Sequence, residues 1–104
     1  MQRFTLPQPT KLRIIAVGEI SPTNHQTWDW GWIEDEAGKK IWEMGWTNSR
    51  AAGREAKIRS ADTTLVLPTG NYRLQYKSDD GYSYQGWGNL PPDIALYGIT
   101  LFKP

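Results

Sequence analysis

The chain has no cysteine, one histidine, and no apolar run approaching the roughly 20 residues that span a bilayer. Without thiols, a disulfide framework, a Cys-based zinc site and a thiol nucleophile are excluded together, while the redox compartment stays open. The start has one basic residue and is interrupted by Pro7 and Pro9, so no export signal is read in it. An excess of charge is missing too: 12 Lys and Arg stand against 11 Asp and Glu. A net charge of +1 sets up no field that would recruit nucleic acid or an anionic lipid surface. The lone His25 follows Pro22 and Asn24 in a turn, without the partners of a hydrolase or zinc-protease motif, and reads as a solvated residue.

Aromatic rings are what the chain does have: six Trp, five Tyr and two Phe in 104 residues. Each ring can bury roughly 150–250 Å², so a single core is within reach of one domain of this length. Trp28, Trp30 and Trp32, then Trp42, Met44 and Trp46, all fall on even positions. In an extended chain such spacing puts each set on one face of a strand. The link Asp35-Glu36-Ala37-Gly38-Lys39 fits a three-residue hairpin loop with Gly38 in the left-handed region. With Asp35 opposite Lys39, the expected register pairs Trp32 with Trp42, Trp30 with Met44 and Trp28 with Trp46, a cross-strand ladder turned into the core.

Residues 1–10 read as an extended lead-in or linker, because prolines cannot donate to a ladder, and residues 11–104 as a single β domain. Residues 11–20 are rich in β-branched side chains and stop at Ser21-Pro22. Residues 48–55 lack a period and read as a loop or a helical turn. Short strands are expected at 56–60 and 63–67. Pro68-Thr69-Gly70 then turns into 71–77, where Tyr72, Leu74 and Tyr76 share a face. Residues 78–94 read as a long glycine-rich loop, and 95–102 as a last strand. About six to eight strands without a long helix predict an all-β, two-sheet antiparallel sandwich, jelly-roll or Ig-like, with a closed barrel as the alternative.

Candidate binding residues follow from ring presentation and charge. Tyr82, Tyr84 and Trp87 lie in the glycine-rich loop, where rings can be offered to a partner. Arg50, Arg54, Lys57 and Arg59 form a basic stretch broken on the acidic side only by Glu55. It suits a protein or polysaccharide contact, or pairing with the acidic hairpin tip, and the near-neutral total argues against nucleic acid. Asp79 and Asp80, like Glu34-Asp35-Glu36, could offer oxygens to calcium, but neither matches an EF-hand loop and both fit turns. No metal or cofactor is expected. A domain this small leaves little room for a deep cleft, so a carboxylate-based hydrolase or lyase ranks last.

Several stretches carry a family resemblance: Asp29-Trp30-Gly31-Trp32-Ile33-Glu34-Asp35, Trp42-Glu43-Met44, Ala52-Gly53 with Lys57 and Arg59, Leu67-Pro68-Thr69-Gly70-Asn71-Tyr72, Tyr76-Lys77-Ser78-Asp79-Asp80, Ser83-Tyr84, Trp87, Pro91-Pro92 and Gly98-Ile99-Thr100-Leu101. Over about residues 29–103 the chain resembles a C-terminal accessory β-sandwich module of bacterial exported or envelope proteins. It departs where Tyr82, Gly86, Gly88 and Ile58 stand in place of that pattern's His, Asp, Asn and Asn. The resemblance implies an accessory β-sandwich without catalytic residues and an extracytoplasmic place. With the candidate residues above, the leading expectation is a non-catalytic domain that docks onto a protein partner or onto domains of a larger parent protein, and the lack of a long apolar run argues against membrane insertion. A carbohydrate-binding module using Tyr82, Tyr84 and Trp87 is the second expectation.

Overall fold

The computed structural model describes residues 1–52, 56–78, 94–96 and 98–103. Among these residues nine strands are formed: β1 (Gln2–Leu6), β2 (Thr10–Ile20), β3 (Thr27–Asp35), β4 (Lys40–Glu43), β5 (Arg50–Ala51), β6 (Ile58–Leu67), β7 (Gly70–Ser78), β8 (Ile94–Leu96) and β9 (Ile99–Phe102). Every pairing is antiparallel. The described residues contain no helix, and so none long and apolar enough to cross a membrane.

The main path of the sheet runs β1-β7-β3-β2-β6-β5, with β4 beside β3, and β9 on β2 carrying β8. β2 is shared: β6 lies along one edge, while β9 at residues 13–16 and β3 at residues 19–20 lie along the other. A register shift between Glu19 and Ile20 marks the corner where β2 hands over to β3. The sheet bends there until the β3/β7 half meets β9. A Cβ on Gly31 would lie 2.9 Å from Cβ and Cδ1 of Ile99, and one on Gly98 would lie 2.7 Å from the Tyr76 ring. The expected all-β antiparallel architecture is present. Its halves, however, are one continuous hydrogen-bonded sheet rather than two separate ones.

Alternation in β2 explains the core. Leu12, Ile14, Ala16 and Ile20 are fully buried; with Ile99 and Leu101 of the neighbouring β9 they form one core cluster with Ile33 and Leu74 of β3 and β7. Residues 2–6, expected as linker, pair with β7, and Leu6 is buried in this cluster. Pro7 ends that strand without preventing it. The two short strands expected at 56–60 and 63–67 are one, β6, because Asp62 faces outward and pairs with Arg13 at 2.6 Å. Within residues 48–55, Arg50 and Ala51 form β5. The last expected strand is a hairpin, β8 and β9, turned at Gly98, whose carbonyl accepts from Val17 N–H at 2.8 Å.

The Trp hairpin departs most from expectation. Its turn forms as expected: Gly38 has φ 86°, and Asp35 N–H donates to Lys39 O at 2.9 Å. Asp35 Oδ1 also accepts from the Ala37 and Lys39 amides. Glu34 then pairs with Lys40, but Ile33 pairs with Trp42, which leaves Ile41 as an extra residue in a bulge. One inserted residue reverses the faces of everything beyond it. Trp42 and Met44 therefore join Ile33 and Gly31 on the buried side, while Trp28, Trp30 and Trp32 line the other face of β3. The indole ladder does not form.

Candidate functional site

The outward face of β4, β3 and β7 brings together the densest set of chemically able side chains in the described residues. Trp30 and Trp32 stand side by side on β3, centroids 5.4 Å apart and planes inclined by 32°. Both are half-buried. Their β7 neighbours are Lys77 and Gln75, and Glu34 sits opposite Arg73. Because Tyr72 and Leu74 take the inner face of β7, its alternate residues are necessarily polar and fall beside the indoles.

Each indole is fixed by a carboxylate. Trp30 Nε1 donates to Glu43 Oε2 at 3.0 Å, and Trp32 Nε1 donates to Glu34 Oε2 at 3.1 Å. Glu43 also receives Lys40 Nζ at 2.7 Å, and that ammonium lies 4.9 Å from the Trp32 ring centre. Lys77 Nζ stands 5.9 Å from the Trp30 ring, near the outer limit of a cation–π contact. Glu34 Oε1 accepts from Gln75 at 3.2 Å. Arg73 Nε lies 3.0 Å from the same oxygen, but its N–H is not aimed at it, so this is a charge contact without a hydrogen bond. The Trp32 indole hydrogen bond, helped by Gln75, Arg73 and Lys40 and opposed by burial, holds the Glu34 carboxyl below its ordinary pKa. Glu34 is therefore an anion at neutral pH.

Beside this face lies an open pocket of about 370 Å³ between β1 and β7, lined by Arg3, Asn71, Arg73 and Glu36 with Phe4 and Tyr72 at its side. Arg73 joins the two features: its Nη2 donates to the Asp35 and Glu36 carbonyls at the hairpin tip. Phe4 and Tyr72 stack at 5.3 Å. The Tyr72 hydroxyl donates to Pro68 O, and burial, with the nearby Asp35 charge, pushes its pKa up.

The basic stretch divides. Arg50 is exposed on β5, near enough to Asp62 to help hold its carboxyl low, after the larger effect of Arg13. Lys57 is exposed and pairs with Glu19 at 3.1 Å. Arg59 is not available: it is 8% exposed and turned inward. Its guanidinium donates to Trp46 O at 3.1 Å, to Ser49 Oγ at 3.2 Å and to Ser49 O, and lies 3.7 Å from the Trp46 ring centre. β6 pairs Arg59 with Gly18 on the buried side, where there is no Cβ to exclude it. His25, exposed as expected, stacks on the same indole at 4.2 Å and 9°. Pairing between the basic stretch and the acidic hairpin does not occur among the described residues; Arg73 fills that role.

Tyr82, Tyr84, Trp87, Arg54, Asp79 and Asp80 lie outside the described residues. At the hairpin tip, Glu34 and Asp35 are occupied by an indole, a guanidinium and backbone amides. No three His, Asp or Glu side chains among the described residues converge on a metal position. Sequence reasoning missed the Trp30/Trp32 face. Its signal was Glu34, which continues the even register of the indoles and would be costly inside a core. No protein-family model, curated protein or solved structure matches the chain.

Proposed function

We propose that the protein is a non-catalytic accessory domain that docks onto a protein partner through the outward face of β4, β3 and β7, with Trp30 and Trp32 as anchors. The observation that carries this reading is the pair of indoles held at fixed angles by Glu43 and Glu34 within a rim of Lys40, Lys77, Gln75 and Arg73. Trp and Arg dominate interface energetics, and rings already locked lose little entropy on binding. The resemblance to accessory modules of larger bacterial proteins supports the same reading. A photoreactive residue at position 77, on the rim beside Trp30 with both indoles kept, tests it in extract of the source organism. A discrete protein adduct that is absent when the probe sits at exposed Thr47 is expected. No adduct at position 77, or the same adducts from both positions, refutes docking through this face.

A second reading, a carbohydrate-binding module, is favoured by the inclination of the two indoles, which gives stacking surface beside hydrogen-bonding side chains. Affinity electrophoresis on soluble glycans separates the two readings. Retardation that survives high salt and disappears in Trp32→Ala supports stacking on sugar rings; unchanged mobility on every glycan refutes it.

A further inference from the structure

One side of the sheet ends on β6. β5 covers only its beginning, through Ser60 and Arg59, so, among the described residues, 62–67 hydrogen-bond to β2 alone. The direction of the free backbone groups can be read from two neighbouring bonds. Ala52 N–H donates to Ile58 O on the β5 side, while Ile20 N–H donates to Lys57 O on the β2 side, both at 2.8 Å. Consecutive strand residues aim their N–H and C=O at opposite edges. Asp62, Thr64 and Val66 therefore point theirs away from β2. All three are exposed, and Val66, at 62%, is the most exposed large hydrophobic residue among those described.

The usual guards of an edge strand are missing here. The β2–β6 register runs unbroken over ten residue pairs, without a bulge. No lysine or proline interrupts residues 59–67, and the one charge in residues 62–67, Asp62, is satisfied by Arg13. The free edge of β4, by contrast, carries Lys40 and the Ile41 bulge, and β1 is stopped by Pro7. Unguarded edges of this kind pair with further strands.

We infer that β6 pairs antiparallel with β6 of a second copy of this chain, about a twofold axis through Thr64. This register sets Thr64 against Thr64 and Asp62 against Val66 in both directions, with about six new backbone hydrogen bonds. It is the register that uses every outward N–H and C=O, and it places no like charges opposite each other. Charge favours the same occupant. Lys11 is the β2 neighbour of Val66, so the Asp62 that arrives beside Val66 from the second copy comes within reach of an exposed ammonium. The dimer leaves the Trp30/Trp32 face uncovered and stands or falls independently of its function. A single short strand pair buries less than the roughly 1,600 Å² of a standard interface, so association is weak and concentration-dependent.

Two measurements test the inference. Sedimentation velocity over a concentration series into the millimolar range should show the mass of the wild-type chain rising towards a dimer. Val66→Lys should remain monomeric with an unchanged melting temperature. Because the chain has no cysteine, Thr64→Cys reports the axis directly. Facing residues about 5.5 Å apart at Cα fit disulfide geometry, so this variant should oxidise to a dimer at least about tenfold faster than Thr47→Cys on the exposed β4–β5 loop. A wild-type chain that stays monomeric throughout, a Val66→Lys chain that dimerises equally well, or equal oxidation rates at positions 64 and 47 would each overturn the pairing.

Discussion

A cation lies over an indole in two regions of this molecule, with opposite consequences. At Trp46 the cation is Arg59, buried, forked onto the Trp46 and Ser49 carbonyls, with His25 stacked on the same ring. At Trp30 and Trp32 the cations are Lys77 and Lys40, both exposed, with nothing in the described residues stacked beyond them. The first cluster ties the β2–β3 turn and the β4–β5 loop to β6. The second closes nothing. A guanidinium can hold several acceptors in one plane while its weak hydration tolerates burial, whereas an ammonium is best left in water. The kind of cation thus separates a clasp from a surface.

Removing each cation is the sharpest way to break the comparison. Arg59→Ala leaves two carbonyls and a hydroxyl without their donor and empties the space beside Trp46, at a cost of about 3 kcal/mol. For a domain of this size that lowers the melting temperature by more than about 10 °C, as differential scanning calorimetry would read. Arg59→Lys keeps the charge and loses the fork, and should fall between this variant and wild type, about 1.5 kcal/mol down. Lys77→Ala, at the open site, should cost under about 0.5 kcal/mol. If Arg59→Ala and Lys77→Ala melted alike, the distinction between clasp and surface would be lost.

The next effect in size concerns the indoles. Trp46→Ala should destabilise by about 2–3 kcal/mol, since Arg59 and His25 both pack on that ring and it lies against the core. Trp32→Ala should cost about 1 kcal/mol or less, because the ring is half-exposed and outside the core cluster. Chemical denaturation of the two variants side by side checks the ordering. Trp30, which packs partly against the core, should fall between them.

How much of this was legible beforehand depends on the residue. The Asp35–Gly38 turn, the Tyr72/Leu74 face and the strand β2 carry local signals, namely a glycine with positive φ, a period-two pattern and a run of β-branched side chains, and each was readable. The destination of the indoles was not. It hangs on Ile41, an unremarkable residue in composition, whose insertion as a bulge sends Trp42 and Met44 inward while Trp30 and Trp32 stay outside. Gly31 gave a second clue: a glycine between tryptophans marks the face that packs too closely for a side chain, here against the side chain of Ile99. Arg59 was misplaced because a basic run reads as a solvated face until a β-strand register assigns its members to opposite sides.

The smallest expected effect sharpens the comparison from the side of the anions. Glu34 holds the Trp32 indole, and its pKa in the folded protein lies below the ordinary value. A group shifted in that direction contributes stability that is fully present above its unfolded pKa, about 4.3, and lost as pH falls through the lower folded value. The stability difference between wild type and Glu34→Gln should therefore be constant from neutral pH down to about pH 5 and shrink below about pH 4. Urea denaturation followed by tryptophan fluorescence at stepped pH reads this directly, and the indole emission should shift over the same acidic interval as the Nε1 hydrogen bond loses its charged acceptor. The acceptors of Arg59 at Trp46 and Ser49 are carbonyls and a hydroxyl, so no carboxylate takes part in that cluster. An acid limb that vanishes in Glu34→Gln but persists in Arg59→Lys would assign the charged, adjustable contact to the open face and the fixed one to the clasp. A difference between wild type and Glu34→Gln that stayed flat through the acid range would mean that the carboxylate charge does not position Trp32.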